Sequence, residues 1–380
     1  MSLENDSFLK IADTITNTYL EKSERKIAGF YCTYIPEEIL DAGGFFPYRI
    51  RATGNEDTEL ADTYMVRFTC SFVRSTLNLA LMGEYDFLDG LFICNSCDHS
   101  RRMFEIFDLV VFKRENFTKE VPRFYISLPH IISEEGFQWF YQELKELKEN
   151  IENAYNLSIT EDALNISIDL YNKNRRLMRK IYDLRALDEP KINGTDALRM
   201  AMANSSVPKE VANPELERIL KSITNSPGID TTNRKRILLL GSVVDNIQFT
   251  KLVEDSGAII ISDNLCFGNR TIVDDIDEDK SVDPLARIAL RLYYRLSCPR
   301  MMDDHPRRLE FIKKEIEKGK IDGVILQRIN NCDLHGCDNM LFEHELKDLE
   351  IPVFNIDRES FQSDATRLQT RIEAFLEMIM

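Results

Sequence analysis

Short segments rich in β-branched and aromatic residues alternate with helical segments in two separate stretches of the chain. In the first stretch, from about residue 26 to 128, the pattern predicts a helix that ends at Gly83, over MVRFTCSFVRSTLNLALMG. Five segments of this stretch are predicted strands, namely KIAGFYCTY, FFPYRI, GLFICN, DLVVFK and RFYISL. This alternation is typical of a parallel sheet covered by helices.

The second stretch begins at Arg236–Ser242 and continues with predicted strands at Ala258–Asp263, Asp322–Gln327 and Pro352–Asp357. Residues 133–222, between the two stretches, have apolar side chains at helical spacings, and SDATRLQTRIEAFLEMI predicts a closing helix. We therefore expect an α/β protein of two similar units. The predicted division is an N-terminal α/β domain at 1–155, a helical connector at 156–230 and a C-terminal α/β domain at 231–380.

Composition excludes several classes of function. The 380 residues carry a net charge of −16, which repels nucleic-acid phosphates. No apolar run reaches the ~18–20 residues that span a bilayer, and the first residues lack the basic and apolar regions of a secretory signal. We expect a cytoplasmic protein with neither nucleic acid nor membrane as a partner.

Two cysteines occupy matching positions in the two stretches. Cys97 and Cys332 each follow a predicted strand and each precede an aspartate, and Cys266 follows a third strand. Carboxyl ends of parallel strands form the ligand site of open α/β sheets. Eight cysteines in a reducing compartment are buried side chains or metal ligands rather than disulfides. The sequence therefore indicates a metal or cofactor site at these strand ends.

The remaining cysteines differ in their surroundings. Cys70 lies in a predicted first helical turn, where amide donors favour a thiolate. Cys32 and Cys94 are predicted to be core side chains, whereas Cys298 and Cys337 stay open between core and ligand. Two histidines, His99 and His335, lie beside candidate ligands and are candidates for ligation or proton donation.

Several common catalytic motifs are missing from the sequence. It contains no GxxxxGK[ST], no GxGxxG after a strand and no GxSxG. These absences argue against ATP hydrolysis through a P-loop, against nicotinamide binding and against serine hydrolysis.

Seven segments together resemble one known family. They are Tyr31–Pro47, the helix at Cys70, Asn95–Arg102, Asp263–Cys266, Cys298–Leu309, Asn330–Asn339 and Asp364–Phe375. The chain is similar over nearly its whole length to the benzoyl-CoA reductase and 2-hydroxyacyl-CoA dehydratase family. Within this family, the chain looks most like the small subunit of ATP-dependent benzoyl-CoA reductase that binds a cluster.

The resemblance implies two flavodoxin-like domains with an iron–sulfur cluster in the cleft between them. It implies a 4Fe–4S cluster on Cys70, Cys97 and Cys332. A related branch carries an 8Fe–9S double-cubane cluster on six thiolates, and here the additional ligands would be Cys266, Cys298 and, less securely, Cys337.

Three functions follow from the resemblance. The first is one-electron dearomatisation of benzoyl-CoA or another aryl-CoA by an oxidoreductase. The second is radical dehydration of a 2-hydroxyacyl-CoA by a lyase. The third is an electron-relay or structural subunit whose partner holds the substrate. The implied partners are a homologous cluster-binding subunit and an ATP-hydrolysing activator that donates electrons.

Overall fold

The computed structural model describes residues 3–361 and 365–379. Its strands are Ile27–Phe30 (β1), Phe46–Arg49 (β2), Gly90–Cys94 (β3), Arg123–Ile126 (β4), Lys235–Gly241 (β5), Ala258–Asn264 (β6), Gly323–Ile329 (β7) and Val353–Arg358 (β8). Its α-helices are Thr18–Glu21 (α1), Glu37–Ala42 (α2), Ser71–Met82 (α3), Asp98–Leu109 (α4), Glu134–Tyr155 (α5), Glu161–Asp183 (α6), Gly194–Asn204 (α7), Lys209–Thr224 (α8), Ile247–Asp255 (α9), Pro284–Tyr294 (α10), His305–Gly319 (α11), Asp333–Asp348 (α12) and Ala365–Met378 (α13).

The strands form two four-stranded parallel sheets of the same topology. The order is β2-β1-β3-β4 in the first sheet and β6-β5-β7-β8 in the second. In each sheet the second strand pairs on one side of the first strand, and the third strand pairs on its other side. A crevice therefore opens between the first and third strands at their carboxyl ends. The predicted fold class, two flavodoxin-like α/β units, is confirmed.

The central strands of each sheet are buried on both faces, whereas the edge strand β4 alternates between exposed and buried residues. In β5, Ile237 and Leu239 belong to one apolar core, and Leu238 and Leu240 belong to the core on the opposite face. Because helices cover both faces, the strands are continuous apolar runs in the sequence rather than alternating ones. Gly241 ends β5 at φ 125°, and a Cβ there would lie 1.8 Å from the Gln327 carbonyl oxygen, so only glycine fits this turn.

The two units exchange segments across the chain. Helix α10 lies late in the sequence, yet Leu285 and Ile288 pack in the core of the first sheet, with Phe30. Conversely, Leu9 near the N-terminus packs in the core of the second sheet, with Leu239. The predicted boundaries at residues 155 and 230 stay a prediction.

One predicted strand is wrong. The segment DLVVFK forms the end of α4 and a 3-10 helix at Val111–Lys113. Phe107 and Val111 are buried in one core below the first sheet, and the Phe107 and Phe112 rings lie 5.5 Å apart. The end of a helix buries these side chains as well as a strand would, because a short apolar run is compatible with either structure.

One helix end differs from its predicted position, and another is untested. Helix α3 begins at Ser71 rather than near Met65, and it ends as predicted at Gly83, which has a left-handed φ of 94°. The first residues of the predicted closing helix, Ser363 and Asp364, lie outside the described residues. Within the described part of the chain, no helix combines the length and apolarity needed to cross a membrane.

Candidate metal centre

The three cysteines predicted as ligands each occupy the position immediately before a helix. Cys70 precedes α3, Cys97 precedes α4 and Cys332 precedes α12. The first N–H groups of a helix have no partner inside the helix and carry a partial positive charge. Each of the three sulfur atoms is therefore held where backbone amides can stabilise a thiolate.

Backbone N–H groups of the same helical turns face these sulfur atoms. The best-defined contact is a hydrogen bond of 3.4 Å to the Sγ of Cys97. Cys97 accepts this bond from the Ser100 N–H, whereas Cys70 and Cys332 form no capping hydrogen bond through their side chains. The backbone N–H groups of Phe72 and Val73 still lower the pKa of Cys70, and that of His335 lowers the pKa of Cys332. Burial nevertheless raises the pKa of all three thiols, that of Cys332 to about 12. The thiols are therefore protonated at neutral pH, and a bound metal has to displace their protons.

These cysteines come from both halves of the chain and lie close together. After burial, the charges of Cys332 and Cys97 are the largest causes that raise the pKa of Cys70. Asn331, next to Cys332, donates its Nδ2 to the Arg67 carbonyl oxygen at 3.3 Å, which ties the second sheet to the loop before Cys70. The two α/β units thus meet at their thiols.

Cys266 and Cys298 lie beside this group and next to buried arginines. Arg270 donates an Nη1–H to the Cys266 Sγ at 3.2 Å. Burial lowers the pKa of the Arg270 guanidinium, but Cys266 and Cys298 more than offset this, so that pKa lies above its ordinary value. Burial raises the pKa of Cys298 to about 11. Three further guanidinium groups interact with thiols of this group, those of Arg49, Arg295 and Arg300.

Cys32 packs against the core of the first sheet, as predicted, and its partly buried thiol also lies in this group. Cys94 is fully buried at the end of β3, as predicted, and its thiol forms a hydrogen bond with Cys32 that lowers the pKa of Cys32. Charge on Cys32 raises the pKa of both Cys97 and Cys298. The position of Cys32 near the end of a predicted strand was the signal in the sequence that could have placed its thiol here. Strands β1 and β3 pair, and neighbouring parallel strands end at one edge of the sheet.

We name the assembled set the thiol site. It consists of Cys32, Cys70, Cys94, Cys97, Cys266, Cys298 and Cys332.

The structure does not bring Cys337 into the thiol site. Cys337 is exposed on α12, on the same side as Met340, whereas His335 is buried. Burial, with a further effect of the nearby Arg270, lowers the pKa of His335 to about 3, so this imidazole is neutral at physiological pH. His99 is half-buried, and its Nδ1 accepts the backbone N–H of Cys70 at 3.3 Å.

Cysteine thiolates are ligands of both zinc and iron–sulfur centres, so the donor set of the thiol site could hold either kind. In residues 3–361 and 365–379, no group of three or more His, Cys, Asp or Glu side chains is compact enough to hold one metal ion. Thiolates of a cluster bind different iron atoms and therefore lie farther apart than the four ligands of a structural zinc. Buried arginines and helix N-termini supply positive charge for an anionic cluster.

Comparison with known proteins identifies the family. The model of the family "2-hydroxyglutaryl-CoA dehydratase, D-component" matches residues 32–379. The chain belongs to this family. The resemblance noted from the sequence is thereby confirmed.

The family includes subunits of both dehydratases and a reductase. The chain is 25% identical over 361 residues to the (R)-phenyllactyl-CoA dehydratase beta subunit of Clostridium sporogenes, covering 95% of this chain and 94% of that protein. It is 26% identical over 315 residues to a benzoyl-CoA reductase subunit of Thauera aromatica, covering 81% and 79%. It is 22% identical over 359 residues to the (R)-2-hydroxyglutaryl-CoA dehydratase beta subunit of Acidaminococcus fermentans, covering 93% of each. These relatives are subunits of enzymes whose names specify CoA thioesters.

Proposed function

We propose that Cys70, Cys97 and Cys332 hold a 4Fe–4S cluster and that the chain is the iron–sulfur subunit of an ATP-dependent benzoyl-CoA or aryl-CoA reductase. The observation that carries this proposal is the convergence of three helix-capping cysteines from both α/β units. Relatedness to a benzoyl-CoA reductase subunit supports the reaction class.

The residues of the thiol site fit the demands of low-potential chemistry. When bound, a cluster of low potential would supply single electrons to a CoA thioester. Backbone N–H groups of α3, α4 and α12 orient the three thiolates, and the surrounding apolar side chains exclude water from them. His99 and His335 are the imidazoles nearest these ligands, and they remain the candidates for holding a proton near the substrate.

We further propose that the extra thiols extend the cluster to an 8Fe–9S double cubane. The additional ligands would be Cys266 and Cys298, as the sequence suggests, with Cys32 rather than the exposed Cys337 as the sixth. Anaerobic purification followed by iron and acid-labile sulfide analysis tests this extension. About four iron atoms per chain indicate one cubane and about eight indicate two, whereas full zinc occupancy without iron contradicts both.

A second candidate function is the dehydration of a 2-hydroxyacyl-CoA. Its support is the family match and the relatedness to two dehydratase beta subunits. The same site would then serve a lyase, in which the electron returns at the end of each cycle. If a partner subunit holds the substrate, this chain is an electron-relay subunit in either reaction.

The proposed partners are a homologous cluster-binding subunit and an ATP-hydrolysing activator, acting together in the cytoplasm. Each of the three relatives is named as one subunit of its enzyme, which supports an assembly of several chains. This chain itself has no P-loop motif.

A direct comparison of two activities tests the reaction. The chain, its partner subunit and the activator are combined anaerobically with ATP, and either benzoyl-CoA or a 2-hydroxyacyl-CoA is supplied. Loss of ring absorbance with benzoyl-CoA supports the reductase, and formation of an enoyl-CoA supports the dehydratase. Absence of both activities in an iron-loaded complex overturns both assignments.

A further inference from the structure

A small cavity lies where the two α/β units meet the helices between them. Its volume is about 50 Å³. This is far below the roughly 300–1,000 Å³ of sites for whole organic ligands, but it is enough for a small ion with a water molecule. The walls come from the loop after β1, the last residue of β2, α6, the start of α8, the segment after β6 and the end of α10. No cysteine is among the lining residues, so this cavity is separate from the thiol site.

The wall of this cavity carries more positive than negative charge. Five cationic side chains line it but only two carboxylates, an excess of three in a chain whose overall charge is −16. Arg175 is paired with Glu38 at 2.6 Å, and Lys209 Nζ lies 3.7 Å from Glu37 Oε2. Both carboxylates are therefore taken. The three cations that remain are Arg49, Arg291 and Arg295.

These three guanidinium groups form no ion pair among the described residues. Their hydrogen bonds go to backbone carbonyl oxygens and to one threonine hydroxyl, all of which are neutral. Arg49 and Arg295 are only 4% and 3% exposed. A guanidinium stays charged in a protein, and a buried charge without a counter-charge costs free energy. The cavity is therefore placed where a counterion would stabilise the fold.

Two of the lining arginines have N–H groups that an ion can reach. Arg49 donates its Nη1 to the carbonyl oxygen of Cys266, which leaves its Nη2 without a partner among the described residues. Arg291 donates its Nε and Nη2 to carbonyl oxygens, which leaves its Nη1 without a partner there. Neither free nitrogen is enclosed by protein atoms, in contrast to Arg49 Nε. The two Nη groups are therefore available donors in the cavity wall.

The cations of the wall also repel one another. Burial, together with repulsion from Arg175 and Arg295, holds the pKa of Arg291 well below its ordinary value. The negative charges that oppose this shift come from Glu38 and Asp274 rather than from the thiol site. A bound anion would relieve this repulsion at a point where the thiols do not.

We propose that this cavity binds a small inorganic anion of the size of chloride. The ion would accept the free N–H groups of Arg49 and Arg291, and Arg295 and Lys209 would add positive charge around it. Arg49 ends β2 of the first unit, Lys209 begins α8 and Arg291 lies near the end of α10. One ion would thus join three parts of the fold.

Thermal unfolding of the anaerobically purified full chain tests the proposal. Sodium chloride is compared with sodium gluconate at equal ionic strength, because gluconate is too large for the cavity. An anion that binds only the folded state stabilises it by mass action, so we expect chloride to raise Tm by about 2 °C or more and the rise to saturate. Bromide in place of chloride, located in crystals by its anomalous scattering, is expected in this cavity.

Two substitutions of arginine separate anion binding from a general loss of stability. Arg291→Gln removes a lining charge and a free donor, so the chloride concentration at half-saturation is expected to rise about tenfold or more. Arg236→Gln is the matched control, because Arg236 is also partly buried and also donates to backbone carbonyl oxygens, but lies outside the cavity. The control is expected to lower Tm equally in both salts and to keep the response to chloride. Arg291→Lys keeps the charge and should keep part of that response.

Three results would overturn the proposal. The first is an equal Tm in chloride and gluconate, which would mean that the cavity holds water alone. The second is an equal response to chloride in Arg291→Gln and Arg236→Gln. The third is loss of the response when the chain is loaded with iron, since a cluster would then be the counterion of these arginines. None of these measurements uses a substrate or an activity, so they are independent of the proposed function.

Discussion

The two sheets share one topology but use their carboxyl edges differently. In the first unit this edge is crowded with thiols, because Cys32, Cys94 and Cys97 all lie at the ends of β1 and β3. In the second unit, Cys332 occupies the equivalent crevice, while the far side of α12 opens into a polar cavity. The same fold thus gathers thiols at the carboxyl edge of one sheet and leaves a cavity at that of the other.

Removing a single helix-capping cysteine from either unit is the strongest test of a shared site. We expect Cys97→Ala and Cys332→Ala each to lose most of the iron and all activity, since the proposed cluster needs both thiolates. Iron and acid-labile sulfide are measured after anaerobic purification, with circular dichroism as the check of folding. If one variant keeps its full iron while the other loses it, the two units hold separate sites.

A smaller effect distinguishes Cys32 from Cys337. Cys32→Ala is expected to lose about half of the iron if a second cubane depends on it, whereas Cys337→Ala is expected to keep all of it, because Cys337 is exposed away from the thiol site. The two substitutions are chemically identical and act as controls for each other. If Cys337→Ala loses iron and Cys32→Ala does not, Cys337 rather than Cys32 is the sixth ligand, as the family resemblance implies.

The junction between the first unit and helix α6 can be weakened without touching the thiols. Glu38 of α2 forms a buried ion pair with Arg175 of α6 at 2.6 Å, near Arg291 of α10. We expect Glu38→Gln to lower the free energy of unfolding by about 3 kcal/mol, because one partner of a buried pair is left uncompensated. Glu217→Gln breaks the exposed pair with Lys173 and is expected to cost about 0.5 kcal/mol or less. Equal effects in urea denaturation would contradict the role of this junction.

The same ion pair predicts a pH dependence. Burial raises the pKa of Glu38, but Arg175 and Arg291 more than offset this, so it lies below its ordinary value. The stabilisation by this carboxylate is therefore complete above the ordinary glutamate pKa of about 4.3 and is lost as the pH falls through the lower pKa of the folded state. In Glu38→Gln, unfolding measured between neutral and acid pH should lack this component. An unchanged acid profile would show that other carboxylates dominate.

Most strands, and the placement of Cys97, Cys266 and Cys332 after strand ends, could be predicted from local sequence. Each strand from β5 to β8 is an apolar run with clear ends, and parallel pairing then places residues such as Cys97 and Cys332 at a common edge. The segment DLVVFK was wrongly predicted as a strand because a short apolar run is compatible with both a strand and a helix. Only the packing of Phe107 and Val111 decides between the two.

The sequence by itself determined the parallel α/β architecture, because periodicity and strand-end cysteines are local properties of the chain. Tertiary structure alone decided that α10 belongs to the first core, that Cys32 joins the thiols while Cys337 faces away, and that arginines from distant segments surround a cavity. The physical reason is that these relations depend on packing between residues far apart in sequence, where local patterns carry no information about distance.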